Sequence, residues 1–273
     1  MRFQRVRANL SFVIYLDHNA TTPILPEVLE AMMPYLTADW GNPSSAYKFG
    51  AKLKSVIETA REQVAELIGA HPLDIVFTSC ATESNNAALA AALRSTGWGP
   101  QSDWGPPVIP RKEPRPGWPC HGKRHIVTSS VEHSSVLNYC LALEKGGEGS
   151  SFPRTRESTS YRATYLPVDR DGLLKLADLE AAITDETAVV SLMWANNETG
   201  VLFPVEQIAQ ICRSRGVLFH CDAVQAAGKV PIDVRKVPAD YLSLTGHVAA
   251  SCGNPTHCFG ARHLKTKTWK MAA

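Results

Sequence analysis

The stretch VLFHCDAVQAAGK, residues 217 to 229, ends a run of apolar side chains on a single carboxylate, Asp222. Gln225 follows three residues later, beyond the same strand end. An apolar run of this length, bounded by Gly216 and by a turn of small residues, is typical of a strand buried in a parallel sheet. In open α/β sheets, ligands bind beyond the carboxyl ends of the strands. Asp222 and Gln225 are therefore candidates for a binding site.

Further segments on both sides of this stretch have the continuous or alternating apolar pattern of strands, and segments of helical period separate them. Residues 56–68 and 205–212 carry apolar side chains at helical spacing. This alternation predicts an α/β fold with a mostly parallel sheet and crossover helices. The predicted strands are residues 74–79, 124–130, 161–167, 187–193, 216–222 and 240–245.

The composition is that of a globular protein with a small molecule or a protein as its partner. Of the 273 residues, 44% are hydrophobic and 20% charged, and the formal net charge of +2 gives no electrostatic reason to expect nucleic acid or a membrane surface. The seven cysteines form no CxxC pair, which favours reduced thiols and a cytoplasmic location.

Two stretches interrupt the strand and helix rhythm. Residues 96–122 are dense in Pro, Gly and Trp, and residues 146–160 are small, polar and basic. Both are predicted to be surface insertions in helix-to-strand connections. A binding role for the tryptophans of the first insertion is the alternative.

Polar side chains follow the predicted strands at the points where they end. Ala81 and Thr82 open a helix, where free backbone N–H groups and the helix dipole suit a phosphate and the Thr82 hydroxyl adds a donor. On its own, Thr82 is also an ordinary helix N-cap residue. His133 lies at the next junction, where an imidazole can stack on a flat ring, move a proton or simply cap the helix.

The later strands end in the same way. Asn196 and Asn197 can bond a ligand oxygen, or they can form an Asn-rich turn without any ligand. Asp222 closes an apolar strand and needs a cationic partner to stay ionised, which is either a protonated pyridine nitrogen or an arginine. Thr245 and His247 supply a hydroxyl and an imidazole that can close around a phosphate.

A phosphate cradle, a ring-stacking histidine, amide donors and an anionic partner for a ring nitrogen together describe a site for pyridoxal 5'-phosphate. A nucleotide-binding α/β protein is a weaker hypothesis, because no Gly-rich phosphate loop follows any predicted strand.

Seven ordered motifs closely resemble the cysteine desulfurases of the NifS/IscS type, in the class V aminotransferase group of pyridoxal phosphate enzymes. The resemblance covers residues 13 to 247 outside the two insertions, and selenocysteine lyase, a close relative, shares most of the motifs. The motifs are YLDHNATTP (15–23), GNPSS (41–45), TSCATESNN (78–86), VEHSSVLN (131–138), ANNETG (195–200), HCDAVQAAGKVPIDV (220–234) and LTGH (244–247).

The resemblance implies a fold type I pyridoxal phosphate transferase with the C-terminal small domain missing. We predict an N-terminal segment at 1–15, a cofactor-binding large domain at 16–247 and a tail outside the family pattern at 248–273. Ala81, Thr82, Thr245 and His247 are implied as phosphate contacts. The other implied roles are ring stacking and proton transfer for His133, contacts on the ring hydroxyl side for Asn197 and Gln225, and the ring nitrogen partner for Asp222.

The resemblance also implies a reaction and partners. In the family, L-cysteine is converted to L-alanine, and its sulfur passes to an enzyme cysteine as a persulfide for iron–sulfur cluster and thio-cofactor synthesis. The partners implied are L-cysteine as substrate, a second copy in a homodimer and a sulfur-acceptor or scaffold protein, with no nucleic acid and no membrane.

The chain departs from the family at one position. Val248 stands where the family has the lysine that holds pyridoxal phosphate as a Schiff base, and an isopropyl group can neither form an imine nor move a proton. Lys265, Lys267 and Lys270 lie in an unpatterned tail and are not expected to substitute. Cys252 and Cys258, flanking His257, are a weak ligand set, so no metal site is predicted.

The family's persulfide cysteine and its substrate-carboxylate arginine belong to a C-terminal part that the resemblance does not reach. The abrupt end of the family pattern after His247 indicates a frameshift, a misjoined reading frame or a degraded gene copy. We therefore expect this chain to be an inactive, damaged or truncated form of a cysteine desulfurase. The alternative is a non-catalytic protein that keeps the fold, binds pyridoxal phosphate and serves as the partner of a complete subunit. We also expect exposed apolar surface, and with it aggregation or dependence on a partner.

Overall fold

The computed structural model describes residues 14–95, 123–145 and 161–246. The two predicted insertions, 96–122 and 146–160, lie outside the described residues, as do His247, Val248 and the rest of the tail. The predicted domain boundaries at 15–16 and 247–248 fall at or beyond the ends of these ranges and stay predictions.

Within the described residues, five parallel strands form one sheet in the order β2-β1-β3-β4-β5. The chain passes from β1 outward to β2 and then returns to β3 on the other side of β1. The strand order thus reverses between β1 and β3, and the carboxyl ends of strands at such a reversal form a ligand-binding crevice. The strands are β1 (His125–Ser129), β2 (Arg162–Leu166), β3 (Thr187–Met193), β4 (Leu218–Asp222) and β5 (Tyr241–Ser243).

Helices cover both faces of the sheet, which confirms the predicted α/β class. Along each central strand, neighbouring residues point to opposite faces, so both faces are apolar and each is packed under helices. The helices are α1 (Pro26–Thr37), α2 (Lys48–Ile68), α3 (Ala81–Ser95), α4 (Ser134–Glu144), α5 (Leu176–Ala182) and α6 (Val205–Ser214), with a short 3₁₀ helix at Pro72–Asp74.

The core consists of two clusters on opposite faces of the sheet. On one face, Leu89 of α3 and Val136 of α4 pack against Ile126, Val189 and Leu218 of the strands. On the other face, the helices contribute Leu179 of α5 and Ile208, Ala209 and Cys212 of α6, and the strands contribute Val127, Val190 and Phe219. Burial of each large apolar side chain contributes about 1.5–3 kcal/mol, so the two clusters hold α3, α4 and α6 firmly against the strands.

One predicted strand is wrong. Residues 74–79 form no strand, because the segment has no neighbouring strand within the described residues. A strand needs a neighbour for its backbone N–H and C=O groups. Here the guanidinium of Arg61 donates to the carbonyl oxygen of Ile75 instead. The apolar alternation of Ile75 and Phe77 is therefore real but does not suffice for a strand.

The expected exposed apolar surface is present on α1, which buries none of its side chains. Leu29, Met33 and Leu36 are 45%, 42% and 63% exposed and recur at helical spacing on one side of the helix. Among the described helices, none is both long enough and apolar enough to cross a bilayer.

The apolar stripe on α1 predicts self-association. We expect the purified chain to associate with rising concentration in sedimentation velocity experiments, and a variant with Leu29→Gln, Met33→Gln and Leu36→Gln to associate less. Glu30→Gln, an exposed change on the same helix, is the matched control and should behave as the unmodified chain does. Equal association of the triple variant and the unmodified chain would show that α1 is not the contact.

Candidate functional site

Asp222, the last residue of β4, is a buried carboxylate at the crevice. Its side chain is 5% exposed. Oδ2 accepts a 2.7 Å hydrogen bond from the Asn85 amide, and Oδ1 accepts a 3.0 Å bond from the Val224 N–H. Among the described residues, neither an arginine nor a lysine forms an ion pair with it. The arginine partner considered as an alternative is thus not found in this part of the chain.

Burial raises the pKa of Asp222, while the hydrogen bonds from Val224 and Asn85 and the charge of His133 oppose that shift. Burial thus makes the ionised form less favourable than it is for an exposed aspartate. A cationic ligand group placed beside Asp222 would stabilise the ionised form, so the site is suited to a protonated ring nitrogen.

His133 lies on a continuous hydrogen-bonded path from Asp222. The Asn85 amide that binds Asp222 also donates to Ser135 Oγ at 2.9 Å, and Ser135 Oγ lies 2.8 Å from His133 Nδ1. The Ser135 N–H donates to the same Nδ1 at 3.1 Å, with His133 as the N-cap of α4. Because Nδ1 accepts, the neutral ring carries its proton on Nε2, on an exposed side chain that can face a ligand.

Asn85 and Ser135 were not among the predicted site residues. Asn85 is 1% exposed and Ser135 is 7% exposed. The available signal was spacing, since Asn85 lies three residues after Thr82 on α3 and Ser135 two residues after His133. Both residues lie on the sides of their helices that face the buried carboxylate.

Ala81 and Thr82 lie at the N-terminus of α3, as predicted. The Ser84 N–H donates to the Cys80 carbonyl oxygen at 3.1 Å, and the N–H groups at the very start of a helix have no partner within it. The Glu83 N–H, then the Ser79 hydroxyl, lower the pKa of the exposed Cys80 thiol. This helix end therefore stabilises negative charge, as a phosphate site requires.

A buried histidine ties the first turn of α3 to the sheet. His220 Nε2 lies 3.0 Å from Ser243 Oγ, to which the Ser84 hydroxyl donates at 3.1 Å, and His220 Nδ1 lies 2.8 Å from Ser191 Oγ. Burial lowers the pKa of His220 to about 4, so the ring is neutral at physiological pH. The contacts bind β3, β4, β5 and α3 together beneath the candidate phosphate site.

Gln225 contacts the N-terminal segment. Its Nε2 donates to the Asn19 carbonyl oxygen at 3.1 Å, and the Lys229 ammonium donates to Gln225 Oε1 at 2.7 Å and to Asn19 Oδ1 at 2.8 Å. These bonds bring the motif at residues 15–23 to the segment that follows Asp222. Gln225 itself is half-buried.

The two asparagines after β3 differ in their surroundings. Asn196 is buried, and its Oδ1 accepts bonds from the Glu198 and Thr199 N–H groups, which is the turn-forming role considered for it. Asn197 is half-buried and donates to Glu198 Oε1 at 2.9 Å. Thr245 is half-buried and lies two residues beyond Ser243, the residue of β5 that pairs with Asp222. His247 lies outside the described residues.

Glu132 is a second buried carboxyl that was not predicted. It precedes His133, is 5% exposed, and burial raises its pKa to about 8. The described residues contain no group of three or more His, Cys, Asp or Glu side chains that could hold a metal ion.

A cleft of about 260 Å³ opens between the start of α3 and one side of α4. It reaches Thr82, at the candidate phosphate site, and Ser135, which is joined to Asp222 through Asn85. The residues that line it are Thr82, Asn86, Ser134, Ser135, Asn138, Tyr139 and Ala142.

The sequence matches the family model for Aminotransferase class-V over residues 14–102 and 115–251. Cysteine desulfurase 2 of Trichormus variabilis is 46% identical over 235 residues, which are 86% of this chain and 50% of that protein. The mitochondrial cysteine desulfurase of Drosophila melanogaster is 45% identical over 86% of this chain and 43% of its own length. The chain thus spans about half the length of the curated relatives it matches.

Solved structures share the fold. SspA in complex with cysteine superimposes with a TM-score of 0.70 at 33% identity, covering 86% of this chain and 58% of that one. A NifS-like protein also gives a TM-score of 0.70, at 34% identity, covering 87% of this chain and 56% of the other.

The role of Asn85 predicts a loss of stability on its removal. Asn85→Ala deletes one donor to a buried carboxyl and one to Ser135, so we expect the free energy of unfolding to fall by about 2–3 kcal/mol. Denaturant titration followed by circular dichroism measures this. Asn138→Ala, an exposed change in the same cleft, should stay within about 0.5 kcal/mol of the unmodified chain. Equal effects of the two substitutions would contradict the proposed path.

Proposed function

The chain belongs to the class-V aminotransferase family, and we infer from this membership and from the site that it is a cysteine desulfurase-like protein that binds pyridoxal 5'-phosphate. One observation carries the inference. Asp222 is a buried carboxylate at the end of β4, the strand beside β3, and has no lysine or arginine ion-pair partner among the described residues. A pyridinium nitrogen supplies the positive charge that this position lacks.

The residues present fit this cofactor. Asp222 would face the ring nitrogen, and the N-terminus of α3 at Ala81 and Thr82 would bind the phosphate, with Thr245 and His247 as further phosphate contacts. His133, with its proton on Nε2, would stack on the ring. Asn197 and Gln225 would bond the ring hydroxyl side. When bound, pyridoxal phosphate supplies an electron sink for bond cleavage beside the substrate α-carbon.

We propose L-cysteine as the substrate class, since the curated relatives are named cysteine desulfurases and one structural neighbour is a complex with cysteine. The reaction breaks the carbon–sulfur bond of L-cysteine. L-Cysteine and an acceptor thiol give L-alanine and a persulfide, with no net oxidation or reduction. Selenocysteine is the alternative substrate, with a carbon–selenium bond in place of the carbon–sulfur bond.

From Val248 we infer that this chain does not complete the reaction alone. The family has a lysine amine at that position, and valine offers neither a nucleophilic nitrogen nor a proton-transfer group. The chain would then hold the cofactor without a covalent bond and act as a partner of a complete subunit. A cytoplasmic location, dimerisation with a second copy and a sulfur-acceptor or scaffold partner belong to the same proposal. So does a large domain at 16–247.

The absence of the lysine predicts a separation of binding from chemistry. Equilibrium dialysis with pyridoxal phosphate should show saturable binding, while borohydride reduction should leave no cofactor attached and incubation with L-cysteine should release no alanine. Pyridoxal phosphate covalently trapped on the unmodified chain, together with alanine release, would overturn the non-catalytic part of this proposal. Val248→Lys tests position 248 directly and should yield a borohydride-reducible adduct.

Asp222→Asn should weaken pyridoxal phosphate binding by about 10- to 100-fold, the loss expected for one charge-assisted contact. The same substitution removes a carboxyl whose charged form is disfavoured by burial, so we expect thermal unfolding at the same or a higher temperature. Glu180→Gln, an exposed change in α5, serves as the binding control. Unchanged affinity in Asp222→Asn would contradict the assigned role.

A further inference from the structure

We propose that Glu132 is a positioning residue of this site: its carboxyl group stays protonated, joins the carboxyl ends of β1 and β3 immediately before His133, and leaves Asp222 as the buried anion that faces the ligand. The statement about the ligand rests on the proposed function. The statement about the protonated carboxyl stands on the protein alone.

The contacts of one carboxyl oxygen show how Glu132 holds the crevice. Oε1 accepts a 2.6 Å bond from the hydroxyl of Ser129, the last residue of β1, and a 3.1 Å bond from the N–H of Met193, the last residue of β3. Met193 pairs with Asp222 across the β3–β4 ladder. One side chain therefore joins both sides of the strand reversal, directly beside the residue that ends β4.

The other carboxyl oxygen indicates the protonation state. Oε2 is buried and makes no hydrogen bond within the described part of the chain. An ionised carboxylate carries half its charge on each oxygen and needs donors to both, so an undonated, buried Oε2 is costly. A neutral acid costs less than an anion here, because Oε1 is then the carbonyl oxygen that accepts both bonds and only an uncharged hydroxyl at Oε2 is left without a partner among the described residues.

The charges around Glu132 act in the same direction. Burial is the largest cause of its raised pKa, and the negative charge of Asp222 adds to it, whereas the bonds from Ser129 and Met193 oppose the shift. The other titratable groups coupled to it are the thiols of Cys140 in α4 and Cys221 in β4. The imidazole of His133, the next residue along the chain, acts on Asp222.

The hydrogen bonds decide which of the two carboxyls, Glu132 or Asp222, carries the negative charge. Two adjacent buried carboxyls do not both ionise when no lysine or arginine pairs with them. Asp222 has donors to both of its oxygens, while Glu132 has donors to one. Asp222 is therefore the better site for the negative charge, and a ligand cation placed beside it makes the difference larger.

Thermal unfolding as a function of pH, without ligand, tests the protonated state. A carboxyl whose pKa is higher in the folded chain than in the unfolded chain keeps a proton that unfolding releases, so stability falls as pH rises from about 4.5 to about 8 and is then level. Glu132→Gln removes the fall in stability that is caused by Glu132. It keeps the fall in stability that is caused by Asp222. The melting temperature of the Gln variant minus that of the unmodified chain should grow across this range. Glu180→Gln, an exposed change in α5, should show no such growth.

A difference in melting temperature that stays constant with pH would overturn the proposal.

The positioning role is tested by equilibrium dialysis with pyridoxal phosphate at pH 7. Glu132→Gln keeps an acceptor for Ser129 and Met193 and should bind within about 3-fold of the unmodified chain, whereas Glu132→Ala should bind at least about 10-fold more weakly. Equal losses in both variants would show that a charged Glu132 is needed and would also overturn it.

The two experiments separate this inference from the proposed function. If the unmodified chain binds no pyridoxal phosphate, the proposed function fails, and the ligand-free pH profile still decides whether Glu132 holds its proton. If pyridoxal phosphate binds and the pH profile of Glu132→Gln follows that of the unmodified chain, the proposed function stands and the role of Glu132 fails.

Discussion

The site depends on one constraint, a carboxylate at the end of β4 that is removed from water and paired with no lysine or arginine in the described chain. Burial of such a group is unfavourable for folding, and its hydrogen bonds to Asn85 and Val224 only partly offset that cost. Proteins keep features of this kind where a ligand completes them. The remaining polar groups of the site are arranged around this carboxylate, which lacks a cationic partner among the described residues.

The scaffold brings those groups together through the reversal of strand order between β1 and β3. Each neighbouring strand ends at the same edge of the sheet and leads into a turn or helix that carries a polar group. Buried bonds then fix the relative positions, through Asn85 and Ser135 on one side and through His220 and Ser243 beneath α3. Glu132 adds a further buried bond, because its side chain accepts from the backbone N–H of Met193 in β3. The result is a buried network of hydrogen bonds among residues distant in sequence, beneath the carboxyl ends of the strands.

The fold class and the strand ends could be predicted from the sequence, because a local pattern of apolar residues determines them. The apolar runs of β1, β3 and β4 and the helical period of α6 are set by burial on both faces of the sheet, so the fold class and the strand ends followed directly. Residues 74–79 carry the same alternation but lack a neighbouring strand, and pairing is not a local property. Asn85 meets Asp222 across 137 positions of chain, and Gln225 meets Asn19 across 206. Spacing along α3 and α4 placed Asn85 near Thr82 and Ser135 near His133, but no spacing rule indicates the contact of Asn85 with Asp222 or that of Glu132 with Met193.

We propose a pyridoxal phosphate site at Asp222 and, because Val248 stands where the resembled family has a lysine, binding without catalysis. The protonation state of the bound ring tests the central claim most directly. With pyridoxal phosphate labelled with ¹⁵N in the ring and bound to the full chain near pH 7.5, we predict a nitrogen chemical shift of the protonated pyridinium that moves toward neutral pyridine in Asp222→Asn. A neutral pyridine shift in the unmodified chain, or no bound signal at all, would contradict the account.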